Sequence, residues 1–481
     1  MKNIFDLTKC FTIEQFLAEC YINLDFDNII FTLNESIYYF ADNKWSKLNN
    51  IKSNMVSLVY NTLYNYFFKQ LSNTEEQPNN NFTGESKKIS KYLKHICTHS
   101  KIVDISKKVI CLLYNFKKNV IFDKNEKQKY NINFKNGIYE INTNKFRPRT
   151  KQDYVTEVLD WNYLEDTNDY VYEYQDVCSI FKKIHPKEID YKMALSYLAY
   201  CLTGVTKFHA FKMNIGYSAS NGKSTEIKIH QQCFDIYTDK LDKNCFTIGF
   251  NKRHKEFHRL LSKPIRLCYI EELDQNRLDV DCIKSFVDGT ELDVEQLFGT
   301  KLKGTNESKF LTTSNKDFNS YDTDQGFARR GFVQYYNSRF TKECKVDDVK
   351  TNNYKIDYNL NSKFDSEKYK NAYFQLLLQN YNEILEIPQV YKDNFTNINE
   401  QYDEFTNLLF EKFQKNKDNF VTKSKLVSYF SDKKIKWSRI LTNLKKLGFT
   451  YDKDKMVQKK KGVIHGLSEI EDDTDQDSDE E

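Results

Sequence analysis

Residues Gly216 to Thr225 read GYSASNGKST, and these types in this order could hold a triphosphate. In such a loop, backbone N–H groups turn inward around a phosphate, a lysine ammonium bridges the β- and γ-phosphates, and a hydroxyl takes Mg²⁺. Ser218, Ala219, Ser220, Asn221 and Gly222 would form the turn, Lys223 the cation and Ser224 the metal ligand, with Thr225 closing the stretch. The usual spacing G-x-x-x-x-G-K-[ST] asks for glycine at 217, where Tyr217 stands; Gly216 lies one residue early. Alone, the string fits either a nucleotide site or a plain strand-turn-helix connection.

Three downstream elements bear on that choice. Glu271 and Glu272 end the apolar run PIRLCYIEELD, where one carboxylate could hold Mg²⁺ through water and the other orient the attacking water. The plainer alternative is an acid-rich helix start. Asn315 ends FLTTSN, where an amide could touch a γ-phosphate or serve only as a turn residue. Arg329 and Arg330 precede the run GFVQYY, where an arginine could stabilise developing phosphoryl charge from a neighbouring subunit or form a surface ion pair. All four elements fall in order inside residues 216–330, which favours a nucleotide site over four coincidences.

The intervening pattern must position them. HAFKMNIGY, RLCYIE and SKFLTTS read as strands ending in polar residues and separated by helical segments, the mark of an α/β sheet with its chemistry at the strand ends. Residues 1 to about 130 read as mostly helical, with a polar loop over Ser72 to Ser86. Asn136-Gly137, flanked by alternating apolar residues, signals a β-hairpin. Residues 394–467 read as three helices followed by two strands around a basic turn, a winged-helix pattern. The expected division is 1–185, 186–345, 346–393, 394–467 and a disordered acidic tail, 468–481.

At 481 residues the chain has room for about three domains. Its eleven cysteines form no C-x-x-C pair, which suggests free thiols in a reducing compartment. His95, Cys97 and His99 cluster without a second ligand pair at zinc spacing. The first residues lack a signal-peptide core and no window holds eighteen uncharged apolar residues, so a soluble intracellular protein without a membrane partner is expected. The net charge of +4 conceals a division: nine acids and no base follow Gly466, whereas residues 411–466 carry sixteen Lys and Arg against five Asp and Glu. The positive field is local.

The loop with NGKST, the strand-terminal Glu-Glu, the strand-terminal Asn and Arg-Arg before a strand together resemble the superfamily 3 helicases, specifically the poxvirus-type primase-helicase family of large DNA viruses and related phages. IYYFADNKWSKL (37–48) and the segment 132–163 are similar to that family's helicase-associated N-terminal region, and the likeness covers roughly residues 30–467. It implies an α/β P-loop NTPase core of AAA+-like type, a mainly helical N-terminal domain and a C-terminal winged helix. Lys223 and Ser224 become the Walker A cation and Mg²⁺ ligand, Glu271 and Glu272 the Walker B acids, with Glu271 also on the metal, Asn315 the motif C residue, and Arg330, ahead of Arg329, the arginine finger.

The resemblance also implies ATP and Mg²⁺, a hexameric ring, and ATP-driven translocation on single-stranded DNA that unwinds forked duplex. The site of action would be viral DNA replication in the host cytoplasm or nucleus. Lys301 and Lys303 on a central hairpin and Lys459, Lys460 and Lys461 on the wing are the expected DNA contacts, joined by Lys433, Lys434, Lys436, Arg439, Lys445 and Lys446. Tyr217 departs from the family pattern, and so do Glu295 and Gln296, which stand where a basic residue precedes the Leu-aromatic pair. No room precedes residue 30 for a primase domain, so priming would fall to another polypeptide. Two rivals stay open: a P-loop NTPase that loads or packages nucleic acid without unwinding, and a non-enzymatic DNA-binding ring subunit.

Overall fold

The computed structural model describes residues 10, 12–33, 35–75, 84–273, 278–294, 302–315, 325–431, 435–457 and 460–470. The chain divides into two units, Met1–Tyr163 and Leu164–Glu481. The division comes earlier than 185 because the helix Val171–Ile184 packs against the helix Glu367–Gln379 of the second unit.

The first unit mixes helices with two small sheets. Ile13–Asp25, Ile51–Glu75, Gly84–Ile96 and His99–Tyr114 are helices that close around Leu17, Tyr21, Met55, Val59, Leu63, Ile105 and Val109. The expectation of helix over residues 1–130 missed the antiparallel sheet Ile29–Phe31, Ile37–Ala41, Lys44–Lys47. Its signal was Asp42-Asn43, which take φ of 49° and 59° between two short strands and so form the tight turn that right-twisted hairpins favour. The hairpin signalled by Asn136-Gly137 forms, but one residue earlier than that pair implies: Phe134 pairs with Gly137, so Lys135-Asn136 makes the turn and Gly137 opens the second strand. Helix Ile51–Glu75 runs four residues into the expected loop, and residues 76–83 lie outside the described ones.

A parallel sheet organises the second unit. Its strands are β1 (Phe211–Ile215), β2 (Thr238–Lys240), β3 (Leu267–Glu271), β4 (Lys309–Ser314) and β5 (Gly331–Tyr335), in the order β5-β1-β4-β3-β2. Every residue of β1 and β4 is buried, as expected of strands covered on both faces. β2, three residues long, is too short for periodicity to reveal. Because β4 enters between β1 and β3, the turns that follow these three strands meet at one edge. Between β3 and β4 lies a two-stranded antiparallel hairpin, Glu291–Val294 with Leu302–Thr305.

Helix α1 (Lys223–Cys233) follows β1 and buries charge. Burial alone would raise the Glu226 carboxyl, but Lys212, His185 and the Tyr336 hydroxyl outweigh it and hold the group down at about 2. One turn on, burial lowers the His230 imidazole to about 3, with Tyr373 Oη 3.1 Å from Nδ1. Both groups have depressed folded-state pKa values, so their stabilisation is complete above the unfolded values and lost on acidification. We therefore expect stability to fall by about 1 kcal/mol per pH unit below roughly pH 6.5 as the unfolded chain takes up the His230 proton. Denaturant unfolding across pH 3–7.5 checks this: His230→Phe should flatten the limb above about pH 4.5, and below that Glu226 should add its own slope.

The C-terminal part departs from the expected pattern at its start. Helix Gln389–Lys412 runs through residue 394 unbroken, with Phe395 packed on Phe211 and Phe327, while Phe405 and Leu409 enter a separate core. The chain then turns to strand at Phe413, adding a third strand to the two that were expected. Phe413–Thr422, Lys460–Glu469 and Thr450–Val457 form an antiparallel sheet with helices Lys423–Ser431 and Trp437–Lys446 against it. Ser468 and Glu469, assigned to the tail, belong to this sheet, and Lys425 pairs with Glu469. Residues 471–481 lie outside the described ones. No described helix is long and apolar enough to cross a membrane.

Candidate nucleotide site

The loop from Gly216 to Gly222 leaves β1 and enters α1. Gly222 takes φ 93° and Ser220 φ 60°, which turns the chain sharply into the helix. A Cβ on Gly216 would fall 2.0 Å from Asn221 Nδ2 and 2.8 Å from Lys223 Nζ, so any side chain at 216 would displace the Asn221 amide and the Lys223 ammonium from their present places. Tyr217 does not disturb it: its ring is turned outward, stacked on Tyr335 at 5.9 Å. The loop is pinned by Gly216 N donating to Ser314 O at 3.1 Å, Asn221 Nδ2 to Ser218 O at 2.7 Å, and Phe340 N to Ser220 O at 2.8 Å.

Lys223 gathers the site. Its ammonium donates to Gly216 O, Asn221 Oδ1 and Asn315 Oδ1, each at 3.0 Å. Burial lowers its pKa, and Glu272 partly opposes the shift. Asn315 Nδ2 donates in turn to Glu272 Oε1 at 2.8 Å. The sheet order thus brings Lys223, Asn315 and Glu272, from the ends of three adjacent strands, into one hydrogen-bonded chain. Glu272 sits at φ 53°, an uncommon conformation for a branchless acid, and its N–H is tied to Thr313 O at 3.0 Å. Glu271 goes elsewhere, pairing with Lys240 at the end of β2. Sequence reasoning missed Lys240, since nothing marks a lysine at the end of a three-residue strand. Ser224 is exposed on the first turn of α1 and Thr225 half-buried beside it.

Arg330 is engaged within its own chain and is not brought to the loop. Its guanidinium forks onto Asp288, with Nε donating to Oδ1 at 2.7 Å, and is 9% exposed. Its carbonyl accepts from Phe211 N at 2.9 Å, which puts it at the N-terminal edge of the sheet, a strand's length from the loop. Arg329 beside it is exposed. Lys303 is exposed and paired with Glu291 across the hairpin at 2.9 Å; Lys461 is exposed and 3.4 Å from Asp454. Lys301, Lys433, Lys434 and Lys459, with the side chains of Arg439, Lys446 and Lys460, lie outside the described residues, as do Glu295 and Gln296.

The fold and these residues define a mixed α/β protein whose polar, carboxylate-bearing site lies at the ends of a parallel sheet. Residues 25–196 match the family model described as D5 N terminal like. The resemblance to the poxvirus-type primase-helicase family is thereby borne out over that segment. The chain is 21% identical over 359 residues to "Putative helicase L207/L206" of Acanthamoeba polyphaga mimivirus, covering 71% of this chain and 36% of that protein. The chain therefore spans about a third of the length of that relative. Among solved structures it is similar to the apo NrS-1 C-terminal region, with a TM-score of 0.43 and 10% identity over 95% of this chain and 100% of that one, and to its A form, with a TM-score of 0.42 and 11% identity over 83% and 78%.

Proposed function

We propose that this chain is the ATP-hydrolysing motor of a replicative DNA helicase, working as a ring with nucleotide held between subunits. One observation carries the reading: Lys223 Nζ and the Glu272 carboxylate are held on the same Asn315 amide. A triphosphate entering the loop would draw the Lys223 ammonium from its three oxygens onto β- and γ-phosphate oxygens. Asn315 would then sense the γ-phosphate while Glu272 orients the attacking water and takes its proton.

The donor set also fits Mg²⁺, which Ser224 and, through water, Glu271 would hold and which would neutralise phosphate charge. Beside the loop, a cavity of about 310 Å³ lined by Ile184, Phe340 and Leu360, and also by Asp176, Lys183 and Asp357, has the size and the mix of apolar and polar groups for a nucleoside. Lys303 on the hairpin and the basic C-terminal module, whose helix-strand-helix-helix-strand-strand order suits a winged helix, would grip DNA phosphates.

ATP turnover with and without single-stranded DNA, alongside displacement of a forked duplex, tests the proposal. DNA should raise turnover, and displacement should require hydrolysable ATP. Stimulated turnover without displacement would favour a loading or packaging motor. Absence of turnover would end the motor reading.

A further inference from the structure

Arg330 is held where the hairpin begins. Helix α2 (Val280–Val287) ends at Asp288, whose carboxylate accepts from Arg330 Nε at 2.7 Å and Nη2 at 2.5 Å and lies 3.1 Å from His209 Nδ1. Gly289 follows with φ 65°, and a Cβ there would meet Thr206 Oγ1 at 2.3 Å. The hairpin strand starts two residues later, at Glu291.

Both feet of the hairpin are tied to the end of α2. Thr290 Oγ1 donates to Ser285 O at 2.9 Å on one side, and Asn306 Nδ2 to Phe286 O at 2.8 Å on the other. Arg330 Nη1 reaches back to Gly326 O at 2.5 Å and its N–H to Phe327 O at 3.0 Å, so the turn that carries Arg329 is fixed to the same corner. A bidentate guanidinium–carboxylate pair transmits orientation as well as attraction, because it resists rotation about a single contact.

We propose that Asp288 is a positioning residue that couples the hairpin to the arginine presented to the neighbouring subunit. DNA pulling on the hairpin tilts the end of α2; the Asp288–Arg330 fork carries that tilt into the turn and moves Arg329 toward the adjacent nucleotide. The inference rests on the motor reading above. A merely structural pair would lower stability and activity together, whereas a coupling residue changes how much DNA raises turnover.

Turnover is therefore measured with and without single-stranded DNA for wild type, Asp288→Asn and Asp288→Glu, together with ATP affinity from a fluorescent analogue and the melting temperature. Asp288→Asn should cut the stimulation ratio by about 5-fold or more, in the range of ordinary coupling free energies, with basal turnover and affinity within about 2-fold of wild type. Asp288→Glu, which keeps the charge, should recover part of the ratio. Thr290→Val loosens the corner from its exposed side and should lower the ratio by a smaller factor, so it carries the test if Asp288→Asn does not fold. A stimulation ratio unchanged in the folded variants overturns the coupling and leaves the motor reading standing. A wild-type chain without DNA-stimulated turnover overturns the motor reading and the coupling with it.

Discussion

Glu272→Gln is expected to lower ATP turnover by about 100-fold or more while leaving nucleotide affinity within a few fold, the signature of a lost general base. Glutamine is close in shape and still accepts from Asn315 Nδ2, so the chain from Lys223 through Asn315 survives and only the proton acceptor goes. Glu271→Gln should behave differently. Glu271 is paired with Lys240 and stands apart from Asn315, so its loss should appear as weaker Mg·ATP binding, a rise in KM larger than the fall in kcat. Single-turnover measurements on both variants separate the two effects. A Glu272→Gln enzyme with near wild-type kcat, or one in which Glu271→Gln alone abolishes chemistry, would reverse the two roles.

The position of Glu272 explains what could and could not be read from the residues alone. Glu271-Glu272 at a strand end identified a carboxylate pair, but adjacent strand-end residues diverge, and which one meets Asn315 depends on the backbone at 272 entering the left-handed region. The strands β1, β3, β4 and β5 were legible because β3 and β5 carry apolar runs, β1 alternates apolar with polar residues and β4 runs from Phe310-Leu311 into a polar end. Their order was not, since it follows from crossovers rather than local pattern, and it alone brings Asn315 between Lys223 and Glu272. Tyr217 looked like a defect against a fixed spacing; Gly216, pressed on Asn221 and Lys223, meets the steric need from one residue earlier. The sheet at residues 29–47 was hidden by strands of three to five residues, short enough for neighbouring helical periodicity to mask. The strand beginning at Phe413 was absent from the three-helix, two-strand reading; its first side chain is claimed by the C-terminal core, where tertiary packing overrides local pattern.

Arg329→Ala should depress turnover by about 1,000-fold or more if Arg329 is the trans-acting arginine, a loss in line with removal of an arginine finger. Its own chain's loop is out of reach. Arg329 precedes the N-terminal edge of the sheet while Lys223 follows the C-terminal end of β1, and five extended residues alone separate these levels by about 16 Å. A neighbouring subunit in a head-to-tail ring removes that obstacle, because the two faces of a heterologous interface come from opposite sides of the protomer. Mixing separates the alternatives. Lys223→Ala has a dead loop but an intact Arg329, and Arg329→Ala the converse; in rings assembled at equal ratio about a quarter of interfaces combine the two intact halves. Turnover should therefore rise from near zero for either variant toward about a quarter of wild type in the mixture, whereas an arginine acting within its own subunit would leave the mixture as inactive as its components.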